Sequence, residues 1–213
     1  MRIVAVTDIH GNMASTVALA NILKKIEAEL LLIAGDITHF SGGEIAKQIL
    51  EPLLKLGVRV LAVMGNCDGK DVPKVLDELG INVHNARVEV KKVGVVGFGG
   101  SSVTPFSTIW EFSEEEIYSS LKRNYRSGDI VLTHAPPYRT RIDKTFSGIH
   151  AGSKGLRKFI EEEQPPICIC GHIHEARGID KIGETLVVNP GPLSRRYYAV
   201  IDSETWEVKL ERL

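Results

Sequence analysis

The sequence predicts an α/β fold, a largely parallel sheet with an antiparallel edge. Two observations predict it. Over the first third, short β-rich apolar runs alternate with amphipathic helical stretches, the pattern of βαβ units. In the C-terminal tail, four strand-like runs follow one another with tight-turn signals and no helix between them.

The elements follow in order. RIVAV is a strand, and MASTVALANILKKIEAE carries apolar residues at 13, 17, 19–20, 22–23 and 26, a helical stripe. LLLIAG, EIAKQILEPLLKLG, VRVLAVMG and VPKVLDELG continue as strand, helix, strand and shorter helix. RVEVKKVGVVGFGG reads as a hairpin, with apolar residues alternating in its first arm. SEEEIYSSLKRN sets a Ser before three Glu, a helix start. GDIVLTH is a strand, SKGLRKFIEEE a helix and PPICICG a strand. The tail, ARGIDKIGETLVVNPGPLSRRYYAVIDSETWEVKLERL, turns at IGET and DSET. No repeat, low-complexity tract or linker-like stretch interrupts the pattern, so one domain over residues 1–213 is expected.

Composition narrows the function. A chain of 213 residues, 43% apolar and 25% charged, can bury a substantial core. Its net charge of −1 exerts no bulk pull on nucleic acid or anionic membrane, so a nucleic-acid partner is disfavoured. No run approaches the roughly 18 apolar residues of a membrane span. The apolar run before Asp8 is too short for a secretory signal. Three cysteines, Cys67, Cys168 and Cys170, are an odd number without an export signal, which favours reduced thiols and a cytoplasmic location.

The unusual residues gather at strand ends. VAVTDIHGN ends in Asp8 and His10, LLIAGDITH in Asp36, LAVMGNCD in Asn66, IVLTHAPP in His134, and ICICGHIHE in His172 and His174. Loops beyond the carboxyl ends of parallel strands line the functional crevice of an α/β sheet, so these groups are expected to converge. Taken singly, Gly-Asp and Gly-Asn after a strand are ordinary turns. Together, four His, two Asp and one Asn form a metal-site composition. Imidazole suits borderline transition ions, and carboxylate and amide oxygen suit harder ones such as Mn²⁺. Seven donors exceed the needs of one four-coordinate ion, so two ions sharing a carboxylate are expected.

The ordered motifs Asp8-x-His10, Gly35-Asp36, Gly65-Asn66-Cys67-Asp68, His134 and Gly171-His172-x-His174 closely resemble the signature of the calcineurin-like metallophosphoesterase superfamily. The short chain and the GNCD variant are most similar to its small prokaryotic phosphodiesterases. The resemblance implies a four-layer α/β/β/α sandwich of two mixed sheets. It implies one ion held by Asp8, His10, Asp36 and His174, and a second held by Asp36, Asn66, His134 and His172, with Asp36 bridging. Two divalent ions are expected, Mn²⁺ first, with Fe, Zn²⁺, Ni²⁺ and Co²⁺ open. The implied reaction is hydrolysis of a small phosphodiester by a metal-bridging hydroxide, with Asp36, Asn66, Cys67 and His134 at the reacting centre. Phosphomonoester or phosphoprotein hydrolysis, and a non-catalytic scaffold that keeps the fold, are the alternatives; a homo-oligomer is open.

Cys67 departs from the pattern, which commonly has His there as proton donor. A thiol is a poor match to that role and near two cations could instead ionise, so weak leaving-group assistance and a preference for diesters are expected; a small soft residue that only fills space beside the metal is the equal alternative. Asp68 is expected to orient a neighbouring ligand, and Asn12 to cap the first helix. His39 belongs to the rim or a plain loop. His150 precedes a helix start that could offer N–H groups to an anion, although an ordinary Ser153 cap accounts for it equally well. Arg139, Arg141 and Lys144 form a basic loop near His134. NPGP at 189–192 is a rigid supporting turn.

Overall fold

Strands that are apolar on both faces need cover on both, and that requirement sets the layers. The computed structural model describes residues 1–213. Its elements begin with β1 (Arg2–Val6), α1 (Met13–Lys25), β2 (Leu30–Ala34), α2 (Gly43–Leu54), β3 (Arg59–Val63) and α3 (Val72–Glu78). The hairpin β4 (Ala86–Val90) and β5 (Val93–Phe98), the short strands β6 (Ser101–Ser102) and β7 (Glu111–Phe112), α4 (Glu114–Asn124) and β8 (Ile130–Thr133) follow. The chain ends with α5 (Lys154–Glu163), β9 (Ile167–Ile169), β10 (Gly178–Ile182), β11 (Thr185–Asn189), β12 (Tyr197–Asp202) and β13 (Val208–Arg212).

These strands make two mixed sheets. The first has the order β13-β12-β1-β2-β3, parallel from β1 to β3 and antiparallel at β12 and β13. The second has the order β10-β11-β9-β8-β5-β4, parallel through its centre and antiparallel at both margins. Alternate residues then sort by face. Ile3, Ala5, Leu30, Leu32, Leu61 and Val63 meet Val95, Ile130, Leu132, Ile167 and Ile169 between the sheets. Val4, Val6, Leu31, Ile33 and Val60 pack under α1, α2 and α3, while Val96, Val131 and Cys168 pack under α4 and α5. The result is the four-layer α/β/β/α sandwich. Cys168 and Cys170 are buried free thiols in its outer core. No helix is long and apolar enough to cross a membrane.

Two readings change. Alternation alone suggests one sheet, yet the tail is divided: β10 and β11 join the second sheet, and β12 returns to pair with β1. Strands that are apolar on both faces do not reveal their partners. In α1 the buried face is Ser15, Thr16, Leu19, Ala20 and Leu23, whereas Met13 and Val17 are exposed. The first turn lies directly after the His10 loop, where small polar residues pack close.

Candidate metal centre

Asp8 and His10 leave β1, Asp36 leaves β2, Asn66 leaves β3, His134 leaves β8, and His172 and His174 follow β9. The facing sheets bring these five strand ends to one edge. His174 Nε2 lies 3.2 Å from Asp8 Oδ1 and 3.0 Å from His10 Nε2. Asp36 Oδ2 stands between two imidazoles, 3.7 Å from His10 Nε2 and 3.6 Å from His134 Nε2. Two three-donor sets converge, Asp8 with His10 and His174, and Asp8 with Asp36 and His134. Asn66 Oδ1 reaches His134 Nε2 at 2.8 Å. His172 stands outside both sets. Its ring meets that of His134 edge-on with centroids 5.1 Å apart, and its backbone N–H donates to Asp8 Oδ2.

The donor set fits cations, and His134 supplies the test. Its Nδ1 lies 2.7 Å from the Ala34 carbonyl, which can only accept, so Nδ1 carries the proton. In that tautomer Nε2 presents its lone pair to the Asn66 oxygen, itself an acceptor. Two lone pairs at contact distance with no proton between them call for a positive ion. His10 Nδ1 is also buried without a partner.

Electrostatics point the same way. Burial alone raises Asp8, but the His174 hydrogen bond and the His134 and His10 imidazoles hold its carboxyl well below the usual range. Burial pushes Asp36 up to about 7, opposed by His134 and reinforced by Asp8 and Asp68. Burial lowers His10 to about 4 and His172 to about 3, leaving neutral imidazoles, the ligating form. The Asp8 hydrogen bond raises His174.

Four of the thirteen non-glycine residues with positive φ lie here. Asp8, His10, Asp36 and His172 all have φ between 48° and 69°, at about 1–2 kcal/mol each for a side-chain-bearing residue. The loops hold this geometry by hydrogen bonding across, with Asp8 N–H to Gly35 O, His10 N–H to Asp36 O and Cys67 N–H to Asp36 Oδ1. Asp68 is buried and accepts from Ile37 N–H, Thr38 N–H, the Thr38 hydroxyl and Gly65 N–H. It therefore positions the backbone beside Asp36 and Asn66, and contacts no ligand side chain. Gly65 is required for space, since a Cβ there would lie 1.9 Å from Asp36 Oδ1. In the NPGP turn, Asn189 Nδ2 donates to Ile173 O, between the paired histidines.

The other sequence-level candidates divide. Asn12 caps α1 by accepting from Ser15 N–H. The α5 start offers no free anion site: Ser153 Oγ accepts from Leu156 N–H and the Glu114 carboxylate from Gly155 N–H, while His150 pairs with buried Asp143. Burial and then the Asp36 carboxylate push the Cys67 thiol up, away from a thiolate. Sequence reading passed over Thr7, Arg195 and Glu111. The Thr7 hydroxyl is 2.8 Å from Asp8 Oδ2, Arg195 is an exposed cation whose charge acts on His174, and the Glu111 charge reaches His172. Adjacency to Asp8 was the available signal for Thr7; for the other two only the tertiary fold supplies one.

Comparison with known proteins agrees with this geometry. Residues 1–176 match the family model of calcineurin-like phosphoesterases. The uncharacterized protein MJ1162 of Methanocaldococcus jannaschii is 41% identical over 219 residues, covering 99% of this chain and 96% of that protein. In fold, the chain is similar to TT1561 of Thermus thermophilus, with a TM-score of 0.81 at 16% identity over 99% of this chain and 98% of the other. It is also similar to a structurally and functionally characterized archaeal phosphodiesterase, with a TM-score of 0.61 at 16% identity over the whole of both chains. The chain belongs to the calcineurin-like phosphoesterase family.

Proposed function

We propose that the protein is a dinuclear-metal phosphodiesterase acting on small diesters. Asp8, His10, Asp36 and His174 would hold one divalent ion, and Asp36, Asn66, His134 and His172 the other, with manganese the first choice. When bound, such a pair neutralises phosphate oxygens and lowers the pKa of water. The chain's own work is positioning. The Ala34 carbonyl fixes the His134 tautomer, Asp68 and Gly65 hold Asp36 and Asn66 in register, and His172 N–H steadies Asp8. Little covalent chemistry falls to the protein in phosphoryl transfer.

The diester preference rests on Cys67. A thiol stands there in place of an imidazole, and in the metal-free chain burial and then the Asp36 carboxylate push it up, so it is a weaker acid than imidazolium for a departing alkoxide. A diester with a good leaving group does not need that acid. Side-by-side hydrolysis of bis-p-nitrophenyl phosphate and p-nitrophenyl phosphate by Mn²⁺-loaded enzyme tests the reading, with the diester expected to win. Cys67→His is expected to raise turnover of poor leaving groups, and Asp36→Ala to abolish activity. Equal rates on both esters, with no change in Cys67→His, would refute the preference.

A further inference from the structure

Three aromatic or imidazole rings form a ladder leading out of the metal centre. The His10 ring meets the His39 ring edge-on with centroids 5.2 Å apart, and His39 meets Phe40 edge-on at 4.9 Å. Phe40 is 54% exposed at the outer end of the ladder. An exposed Phe is common by itself, but its backbone here is not. Phe40 has φ 53°, the left-handed region that a bulky side chain rarely adopts, and its N–H is tied to the Cys67 carbonyl at 2.8 Å. The fold thus holds a strained residue with an apolar ring beside Cys67, as it holds strained residues among the metal donors.

The setting says what the ring would meet. The loop from Ile37 to Gly43 carries no Asp, Glu, Lys or Arg, so its two ring side chains are its main feature. The other two strongly exposed phenylalanines, Phe106 and Phe146, belong to loops that touch the same edge. Ile109 N–H donates to Asn66 O, and Phe146 N–H donates to Glu175, next to His174. We infer that the Phe40 ring, braced edge-on by His39, is a stacking platform for the base of a nucleoside phosphodiester whose phosphate sits at the metal centre. Ring faces accept any base, so the platform selects for a planar group without reading its identity. This deepens the phosphodiesterase reading and depends on it.

The test holds the leaving group constant. Mn²⁺-loaded enzyme is given thymidine 5′-(p-nitrophenyl phosphate) and methyl p-nitrophenyl phosphate, which release the same p-nitrophenolate. The expected kcat/KM ratio favours the thymidine ester by about tenfold, the scale of one base stacked on an aromatic ring. Phe40→Ala and Phe40→Leu should bring the ratio close to one while methyl ester turnover is kept, and Phe40→Trp should preserve it. Phe40→Gly should lose the preference while melting at a higher temperature than wild type, because the left-handed strain is relieved. Calorimetric binding of thymidine 5′-monophosphate against methyl phosphate should show the same loss in Phe40→Ala. A wild-type ratio near one, or a ratio unchanged in Phe40→Ala, overturns the platform. A ratio retained in Phe40→Leu overturns stacking in favour of simple apolar contact. Hydrolysis of neither ester overturns the phosphodiesterase reading itself.

Discussion

Asp68→Asn isolates the contribution of positioning, because the side chain keeps its shape and contacts no proposed ligand side chain. The wild-type carboxylate accepts three backbone donors, Thr38 N–H at 2.7 Å on Oδ1 and Gly65 N–H at 2.8 Å and Ile37 N–H at 3.2 Å on Oδ2, and shares the single Thr38 hydroxyl proton, 2.9 Å from Oδ1, with the Ser41 carbonyl. An amide can accept on one side only. The Thr38 hydroxyl can turn and accept, so the amide nitrogen settles towards Thr38 and leaves one buried N–H unpaired, at about 1–3 kcal/mol. The bonds from Gly65 and Ile37 lose their charge assistance, about 1 kcal/mol each. Relief from burying a charge offsets part of this, so the expected net cost is about 3 kcal/mol. Urea denaturation of the metal-free protein measures it. Because Ile37 and Gly65 flank Asp36 and Asn66, divalent-ion affinity by calorimetry should also fall by about 10–100-fold, the usual effect of removing support behind a ligand. A stability change under about 0.5 kcal/mol, together with unchanged metal affinity, would refute the view that Asp68 holds the two loops in register.

Two further outcomes follow from the geometry. Gly65→Ala drives a Cβ to within 1.9 Å of Asp36 Oδ1 and 2.2 Å of Asp36 N, and backbone cannot yield. Gly11→Ala meets nothing within 4 Å and costs only left-handed strain, about 1–2 kcal/mol. Metal titration should therefore show weakened binding in the first and near-normal binding in the second. Away from the centre, burial lowers His84 to about 4, and its Nδ1 accepts from Gly99 N–H between the rings of Phe98 and Phe112. A depressed His contributes stability above its unfolded pKa near 6.5 and loses it as pH falls towards 4. The loss is at most about 3 kcal/mol. His84→Phe should flatten the stability–pH curve across that window in denaturant titrations, whatever its effect at pH 7; an unchanged slope would refute the assignment.

The strand ends were legible because chemistry there contradicts packing: an apolar run that stops at Asp8, Asp36 or His134 has no core reason to do so. Helices with caps were legible too, as Ser113 and Glu116 form the box around the α4 start that their spacing suggests. Partner choice was not. Leu30 and Leu31 read alike, yet one faces the second sheet and the other the helices. The left-handed residues were also hidden, since nothing in the letters separates Asp8 at φ 53° from an ordinary turn Asp. Their distribution carries the last step. Strain at Asp8, His10, Asp36 and His172 is matched by cross-loop hydrogen bonds and directed at one set of donors, while strain at Phe40 is tied to the same loops through Cys67 O. Five of the thirteen left-handed non-glycine residues border this one cleft. Phe40 is one of the five, and the His39 ring joins it to His10, so both border the site though no motif includes them.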